Sequence, residues 1–338
     1  MIRLPAEWEP QAFVQFTFPY DQGDWADHYD EVVECFVKLI SAVAQYEKTL
    51  VVCHDIANVK SHFNSTNNIH FAVAASNDAW ARDHGAITVM ENDHPCLLDF
   101  DFNGWGQKYP CELDNRITQH LYDRGTFGSI PISMPGLVLE GGAIESDGVD
   151  TLLTTSSCLL SENRNPSLTK QQIEKHLKHQ FGLERILWLD HGHLTGDDTD
   201  GHIDTLARFC NKDAIAYVQC TDPNDEHYAS LQQMEAQLKT FTKSDGQPYR
   251  LAPLPMVDPC YDEENNRLPA TYANFLICNG AVIVPTYNAP QDEKALDILS
   301  SVFWDRDVIG INCLPLIRQY GSLHCVTMQY PEGVPLIT

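Results

Sequence analysis

Cys278-Asn279-Gly280-Ala281-Val282-Ile283-Val284 decides the fold of this chain, because its pattern occurs twice more upstream. A polar turn feeds an apolar strand, and a second turn leads into an amphipathic helix. Asp147-Gly-Val-Asp-Thr-Leu-Leu-Thr-Thr155 leads to a helix opening near Thr169, and Cys210-Asn-Lys-Asp-Ala-Ile-Ala-Tyr-Val218 to one near Asp225. The third copy leads to a helix near Gln291. Each helix has a starting signal: Ser167 or Thr169, Asp222 or Asn224, and Asn288 with Pro290. Two further helices are expected over roughly residues 27–45 and 112–124, among strand-like runs such as Thr49-Leu-Val-Val-Cys53 and Gly85-Ala-Ile-Thr-Val89. A recurrence of about 60 residues predicts an α/β repeat architecture closed on itself, with a site at its centre. An ordinary α/β sandwich with accidental periodicity is the competing reading.

The 338 residues carry no low-complexity linker, so one domain over 1–338 is expected. Hydrophobic content of 43% with 20% charged residues is that of a globular chain able to bury a sizeable core. No apolar run approaches the length of about 18 residues that a membrane span needs. The opening Met-Ile-Arg-Leu-Pro-Ala-Glu-Trp has no apolar stretch of the signal-peptide kind. Eleven cysteines, scattered without a C-x-x-C pair, argue against a disulfide framework or a cysteine zinc site. A cytoplasmic protein is therefore expected. The net charge of −25 makes nucleic acid and anionic membranes poor partners, while a cationic ligand is compatible with it.

Chemistry concentrates in Asp197-Asp198-Thr199-Asp200-Gly201-His202-Ile203-Asp204, four carboxylates and a histidine directly after the strand-like run Arg185-Ile-Leu-Trp-Leu189. Such a cluster is costly unless a cation or a proton-transfer role occupies it. A strand resuming at Gly201 would turn His202 and Asp204 to one face by period-2 alternation. A solvated acidic loop is the bland alternative. Asp83 follows Trp80-Ala-Arg82, where an ion pair of Arg82 with a neighbour would be purely structural. Glu140 closes the apolar run Leu137-Val-Leu139 before Gly141-Gly142, a setting for close approach of a ligand or for a simple turn. Cys325 follows the small-residue loop Gly321-Ser322. Most free cysteines are packing residues. Strand alternation would send its neighbour His324 to the opposite face, leaving His202 as the candidate partner of Cys325.

Taken together, these segments resemble the agmatine deiminase / bacterial (Porphyromonas-type) peptidylarginine deiminase family of the pentein guanidine-modifying superfamily. The matching stretches run in order: Leu4-Pro-Ala-Glu-Trp-Glu-Pro10, Trp80-Ala-Arg-Asp83, Phe102-Asn-Gly-Trp-Gly106, Leu139-Glu-Gly-Gly142, Asn163-Arg-Asn-Pro166, Asp198-Thr-Asp-Gly-His-Ile-Asp204, Tyr272-Ala-Asn-Phe275, Asn279-Gly-Ala-Val-Ile-Val-Pro285 and His324-Cys325. The resemblance implies an α/β propeller of about five ββαβ-type repeats around a central cavity. It implies Cys325 as nucleophile, His202 as general acid/base, and Asp83, Asp204 and Glu140 as carboxylates around a guanidinium, with Trp80 and Trp105 beside the substrate. It also implies hydrolysis of agmatine to N-carbamoylputrescine and ammonia, with peptidylarginine or another guanidine compound as the alternative substrate, without metal or cofactor, in a family that often forms homodimers. The chemistry suits those residue types. Carboxylates bind a planar guanidinium bidentately, and a thiolate can then attack its central carbon from the open face.

Three positions depart from the common family pattern. Tyr320 and a single Gly321 stand where a longer glycine run is usual, Thr205 follows Asp204 in place of asparagine, and His84-Gly85-Ala86 replaces Thr-Gly-Pro. These touch the cavity rim rather than the guanidinium-handling residues. A metal hydrolase built on His191, His193, Asp197 or Asp198 and His202 is the main alternative of another class, since His-x-His is a real ligand spacing. A calcium loop fails, because placing Gly201 sixth puts Gly196 first and Ala207 twelfth. A module that merely binds cations, with Cys325 a bystander, is the third reading.

Overall fold

The structure, a computed structural model, describes residues 1–337. Among them the strands form five separate sheets of three or four strands. Each sheet repeats one construction, an antiparallel pair followed by a helix and a parallel return strand. Ile87–Glu91 pairs with His94–Leu98, and the helix Ile117–Asp123 leads to Ile132–Ser133. Ile144–Ser146 pairs with Thr151–Thr155, and Lys170–Phe181 leads to Arg185–Leu189. Ala207–Asn211 pairs with Ala214–Gln219, and Tyr228–Leu238 leads to Arg250–Pro255. Leu276–Cys278 pairs with Ala281–Thr286, and Asp292–Val302 leads to Asp307–Asn312.

The fifth unit joins the two ends of the chain. Thr327–Pro331 pairs antiparallel with Gln11–Thr17, and Tyr29–Val43 leads on to Lys48–Cys53 and Ile69–Val73. This ββαβ repetition bears out the mixed α/β repeat expected from Cys278–Val284 and its two counterparts.

Local sequence explains the individual pieces. Asn92 and Asp93 both take positive φ (+49° and +66°), the conformation of the two-residue hairpin turn that matches strand twist. Lys170–Phe181 starts at a capping box between Thr169 and Gln172 and stops at left-handed Gly182 (φ +68°). It buries Ile173, Leu177 and Phe181, one per turn along a single stripe, worth about 1.5–3 kcal/mol each. Asp222 and Asn288 do not cap the next two helices, which begin at Tyr228 and Asp292 without side-chain caps. Asp222 closes its own turn, and the Asp292 carboxylate accepts from the backbone N–H groups of Tyr287 and Ala289.

Two expectations of local geometry do not hold. The strand after the acidic stretch begins at Ala207, not Gly201, and Ile203–Thr205 is a single 3₁₀ turn. The cause is local: Gly201 adopts φ +90°, and the Asp197 carboxylate accepts from its N–H. His324–Val326 is likewise a 3₁₀ turn, with the strand starting at Thr327. Period-2 alternation therefore does not govern His202 and Asp204, nor His324 and Cys325. Among the described residues, no helix is long and apolar enough to cross a membrane.

Candidate active site

The chain makes a short turn just before the first strand of each unit, and these turns carry the candidate residues. Asp83 lies in Ala81–His84, Glu140 precedes Gly141–Ala143, His202 and Asp204 bracket Ile203, and Cys325 is the middle residue of His324–Val326. The fourth unit supplies Asn274 from the corresponding place before Leu276. The turns pack against one another, so residues spread over most of the sequence meet at one centre.

Gly142 shows how closely they meet. A Cβ there would lie 2.5 Å from His202 Nδ1, 2.9 Å from Asp83 Oδ1 and 3.1 Å from Asp204 Oδ2. Asp83, Glu140, His202, Asp204 and Cys325 are all buried, none more than 4% exposed.

Each group is held differently. Asp83 accepts from Trp105 Nε1 (2.9 Å) and from the Gly142 N–H (3.1 Å). Burial lifts its pKa to about 6, opposed by His202 and reinforced by Asp204. Asp204 takes the ring of His324 at Oδ2 (2.7 Å), while Oδ1 is buried without a hydrogen-bond partner. Burial disfavours its charge, but the His324 bond and the charges of His202 and Arg208 hold its carboxyl below the usual range.

Neither ring nitrogen of His202 meets a partner at hydrogen-bonding geometry. Its neighbours are Asp83 Oδ1, 3.6 Å from Nδ1, and the groups of Cys158 and Glu140 within 4.8 Å. Burial works against the imidazolium, but Asp83, Cys158 and Glu140 outweigh it and raise the pKa to about 10. Cys325 directs Sγ toward Asn274 Oδ1 (3.5 Å). Burial, then Asp204 and Asp83, push its thiol well above the ordinary value.

Asp83 and Cys325 line a narrow pocket with a cavity volume of about 50 Å³, together with Trp80, Trp105, Tyr109 and Tyr320. Trp105 sits at φ +54° between two left-handed glycines, a strained run that places its indole N–H on Asp83. Trp80 is fixed by Asp78, and its ring leaves no room for a side chain at Gly321. The rim is acidic: Asp24, Asp78 and Asp198 line it, and no lysine or arginine does among the described residues.

Glu140 reaches the same centre but differs from the other acids. Arg164 Nε donates to both its oxygens, at 2.8 and 3.0 Å. The His-x-His alternative is not assembled. His191 and His193 lie on the loop after Arg185–Leu189, away from the buried centre, while Asp198 pairs with Tyr109 and Lys108. Neither histidine joins a group of potential metal ligands among the described residues.

Sequence reasoning passed over Asn274, Arg164, Cys158 and His324. The stretches Tyr272–Phe275 and Asn163–Pro166 were visible as motifs, but no spacing rule tied Asn274 or Arg164 to the site. His324 was set aside on strand parity, which the 3₁₀ turn abolishes.

DDAH of Pseudomonas aeruginosa, 12% identical with a TM-score of 0.52, covers 95% of this chain with all of its own. At that identity the likeness shows the fold alone, and it is the pentein fold. The family follows from closer matches: the chain belongs to the Porphyromonas-type peptidyl-arginine deiminases, whose pattern it matches over residues 3–331. A C. jejuni agmatine deiminase, solved as a cysteine-to-serine variant with substrate bound, is 39% identical at a TM-score of 0.93, covering 99% of this chain and 97% of that one. A Porphyromonas gingivalis protein provisionally named an arginine deiminase is 50% identical at a TM-score of 0.95, covering 98% and 99%. A Vibrio parahaemolyticus protein provisionally named an agmatine deiminase is 33% identical, covering 97% of this chain and 96% of its own.

Proposed function

We propose that this protein is a guanidine deiminase acting on agmatine, hydrolysing it to N-carbamoylputrescine and ammonia. One observation carries this reading: Asp204 Oδ1 and both nitrogens of His202 are buried without a hydrogen bond, at the centre where Asp83 stands 3.6 Å from His202 Nδ1. Leaving such groups unmet costs about 1–3 kcal/mol each. A planar cation with paired N–H donors would meet the Asp204 oxygen and offset the repulsion between Asp83 and Asp204.

The chemistry then follows from the residues. Resting Cys325 is a thiol, and the arriving guanidinium favours its thiolate, the proton leaving through the pocket mouth. Sγ bonds to the guanidinium carbon to give a tetrahedral adduct. His202, protonated at neutral pH, transfers its proton to one nitrogen, and the C–N bond breaks to release ammonia. A thiouronium remains. Neutral His202 takes a proton from water as the oxygen bonds to carbon. Collapse of this second adduct breaks the C–S bond while its hydroxyl proton passes to solvent, releasing the neutral ureido product and returning the thiolate, with His202 left protonated for the next turnover. Asp83 and Asp204 hold the substrate flat throughout.

The rim favours agmatine over arginine. A distal ammonium meets a mouth lined by Asp24, Asp78 and Asp198, the last already paired with Lys108, whereas an α-carboxylate would meet the same acids with no basic residue among the pocket-lining groups. The C. jejuni agmatine deiminase at 39% identity supports the same choice. The enzyme on this reading is one domain over 1–338, cytoplasmic, in which a homodimer is to be sought by light scattering. Ammonia release from agmatine, arginine and a peptidyl-arginine, measured side by side with Cys325→Ser as control, tests it. Agmatine should be fastest and the serine variant inert. Equal activity of the serine variant sinks the covalent route, and preference for arginine or peptidyl-arginine sinks the substrate.

A further inference from the structure

Two carboxylates at the centre sit close to permanent protein cations, with opposite outcomes. Glu140 is captured: Arg164 lies against both its oxygens. Asp204 is not captured, although Arg208 is fully buried just behind it. The imidazole of His324 stands between them. Nδ1 is 2.7 Å from Asp204 Oδ2, and Nε2 is 3.0 Å from Arg208 Nη2 and 2.7 Å from Glu7 Oε2. Arg208 spends its own donors on Glu7, Glu145 and the Phe275 carbonyl. The Asn274 carboxamide oxygen receives the His324 N–H at 2.8 Å, which fixes the ring's attachment point.

The geometry points to His324 as a positioning residue that separates Asp204 from Arg208, engaging Oδ2 so that Oδ1 stays free for a substrate guanidinium. Nδ1 donates to ionised Asp204 in either protonation state of the ring. A neutral ring accepts from Arg208 at Nε2, and an imidazolium donates there to Glu7. In both, the imidazole fills the space through which Arg208 would otherwise reach Asp204. Without it, a buried carboxylate next to an unshielded guanidinium would swing to form a direct pair, as Glu140 has done with Arg164. Asp204 would then be a satisfied structural acid and a poor substrate ligand. The turn geometry of His324–Val326 lets neighbours 324 and 325 both face the centre, one toward Asp204 and one into the pocket.

This inference rests on the guanidine deiminase reading, and the test separates the two. Asparagine at 324 retains a donor near the place of Nδ1, glutamine reaches instead toward Glu7, and alanine loses both. His324→Ala should lower kcat/KM for agmatine about 30-fold or more, with the KM term included because substrate binding is lost. His324→Asn should recover to within about fivefold of the parent, and His324→Gln should not.

In the Cys325→Ser background, agmatine binding by calorimetry should weaken at least tenfold on His324→Ala. The same change should cost less than about threefold in a protein that also carries Asp204→Asn, since positions acting through one another are non-additive. Equal losses with and without Asp204→Asn, or an active glutamine variant beside an inactive asparagine one, overturn the positioning role. If alanine does not fold, the asparagine–glutamine order alone decides. An unmodified protein that releases ammonia from no guanidine compound overturns the deiminase reading itself, and the inference with it.

Discussion

Gly142→Ala is the sharpest probe of the proposed site, because one methyl group would enter the space between three of its candidate side chains. The added Cβ would stand 2.5 Å from His202 Nδ1, 2.9 Å from Asp83 Oδ1 and 3.1 Å from Asp204 Oδ2. Ordinary contact needs about 3.5 Å, so His202 must retreat by about 1 Å and Asp83 by about half that. None of the three is on a flexible, solvent-facing chain, and all are buried. Displacements of about 1 Å at reacting groups cost on the order of 100-fold in rate. Overpacking of this kind costs about 1–3 kcal/mol in stability, a few degrees of melting temperature in a chain of this length.

Gly125→Ala is the complementary control. Its Cβ would meet nothing within 4 Å, but its φ of +79° penalises any side chain. The expectation is a roughly 100-fold fall in kcat for Gly142→Ala, measured as ammonia release, against an unchanged kcat and a modest loss of stability for Gly125→Ala. A Gly142→Ala protein with parental kcat would refute the convergence of His202, Asp83 and Asp204 around that residue.

Acidification from pH 8 to about 6.5 should raise the melting temperature of the ligand-free protein. Burial pushes Glu47 and Asp114 up to about 8, and Glu145, which Glu7 also raises against Arg208, up to about 7. His202 is carried to about 10, so folding takes up protons throughout that window and stability grows as pH falls. A melting temperature that falls over the same range would contradict these assignments. Agmatine should raise the melting temperature of Cys325→Ser by mass action and arginine should raise it less, because Asp24, Asp78 and Asp198 line the rim and, among the described residues, no basic residue does. An equal or larger shift with arginine would remove the agmatine preference. Thr169→Ala should cost about 1 kcal/mol in chemical denaturation by deleting the capping box, with no change in kcat. A change in kcat there would show that the helix communicates with the centre.

How far the sequence could be read depended on whether a local period carried the information. The ββαβ construction was legible because Asn279-Gly280, Lys212-Asp213 and Gly148 punctuate apolar runs in the same way each time, and apolar alternation survives any tertiary context. The turns that carry the candidate residues were not legible as turns. They are single helical turns of three or four residues, too short for periodicity, and set by contacts from distant segments such as Asn274 on the His324 N–H. Applying strand parity there kept His202 and Asp204 together by a wrong mechanism and discarded His324 by the same one.

Cys325, His202 and Asp83 are assigned through the family resemblance, and thiol, imidazole and carboxylate suit the chemistry it implies. Arg164 and Arg208 are not, since their work is to neutralise acids only the fold brings near. The distinction has a physical root. A residue that reacts is recognisable by type, whereas a residue that decides which acid remains unpaired is recognisable only by what stands between two charges. Glu140 beside Arg164 and Asp204 behind His324 are both carboxylates with opposite fates, and nothing in the order of amino acids separates them.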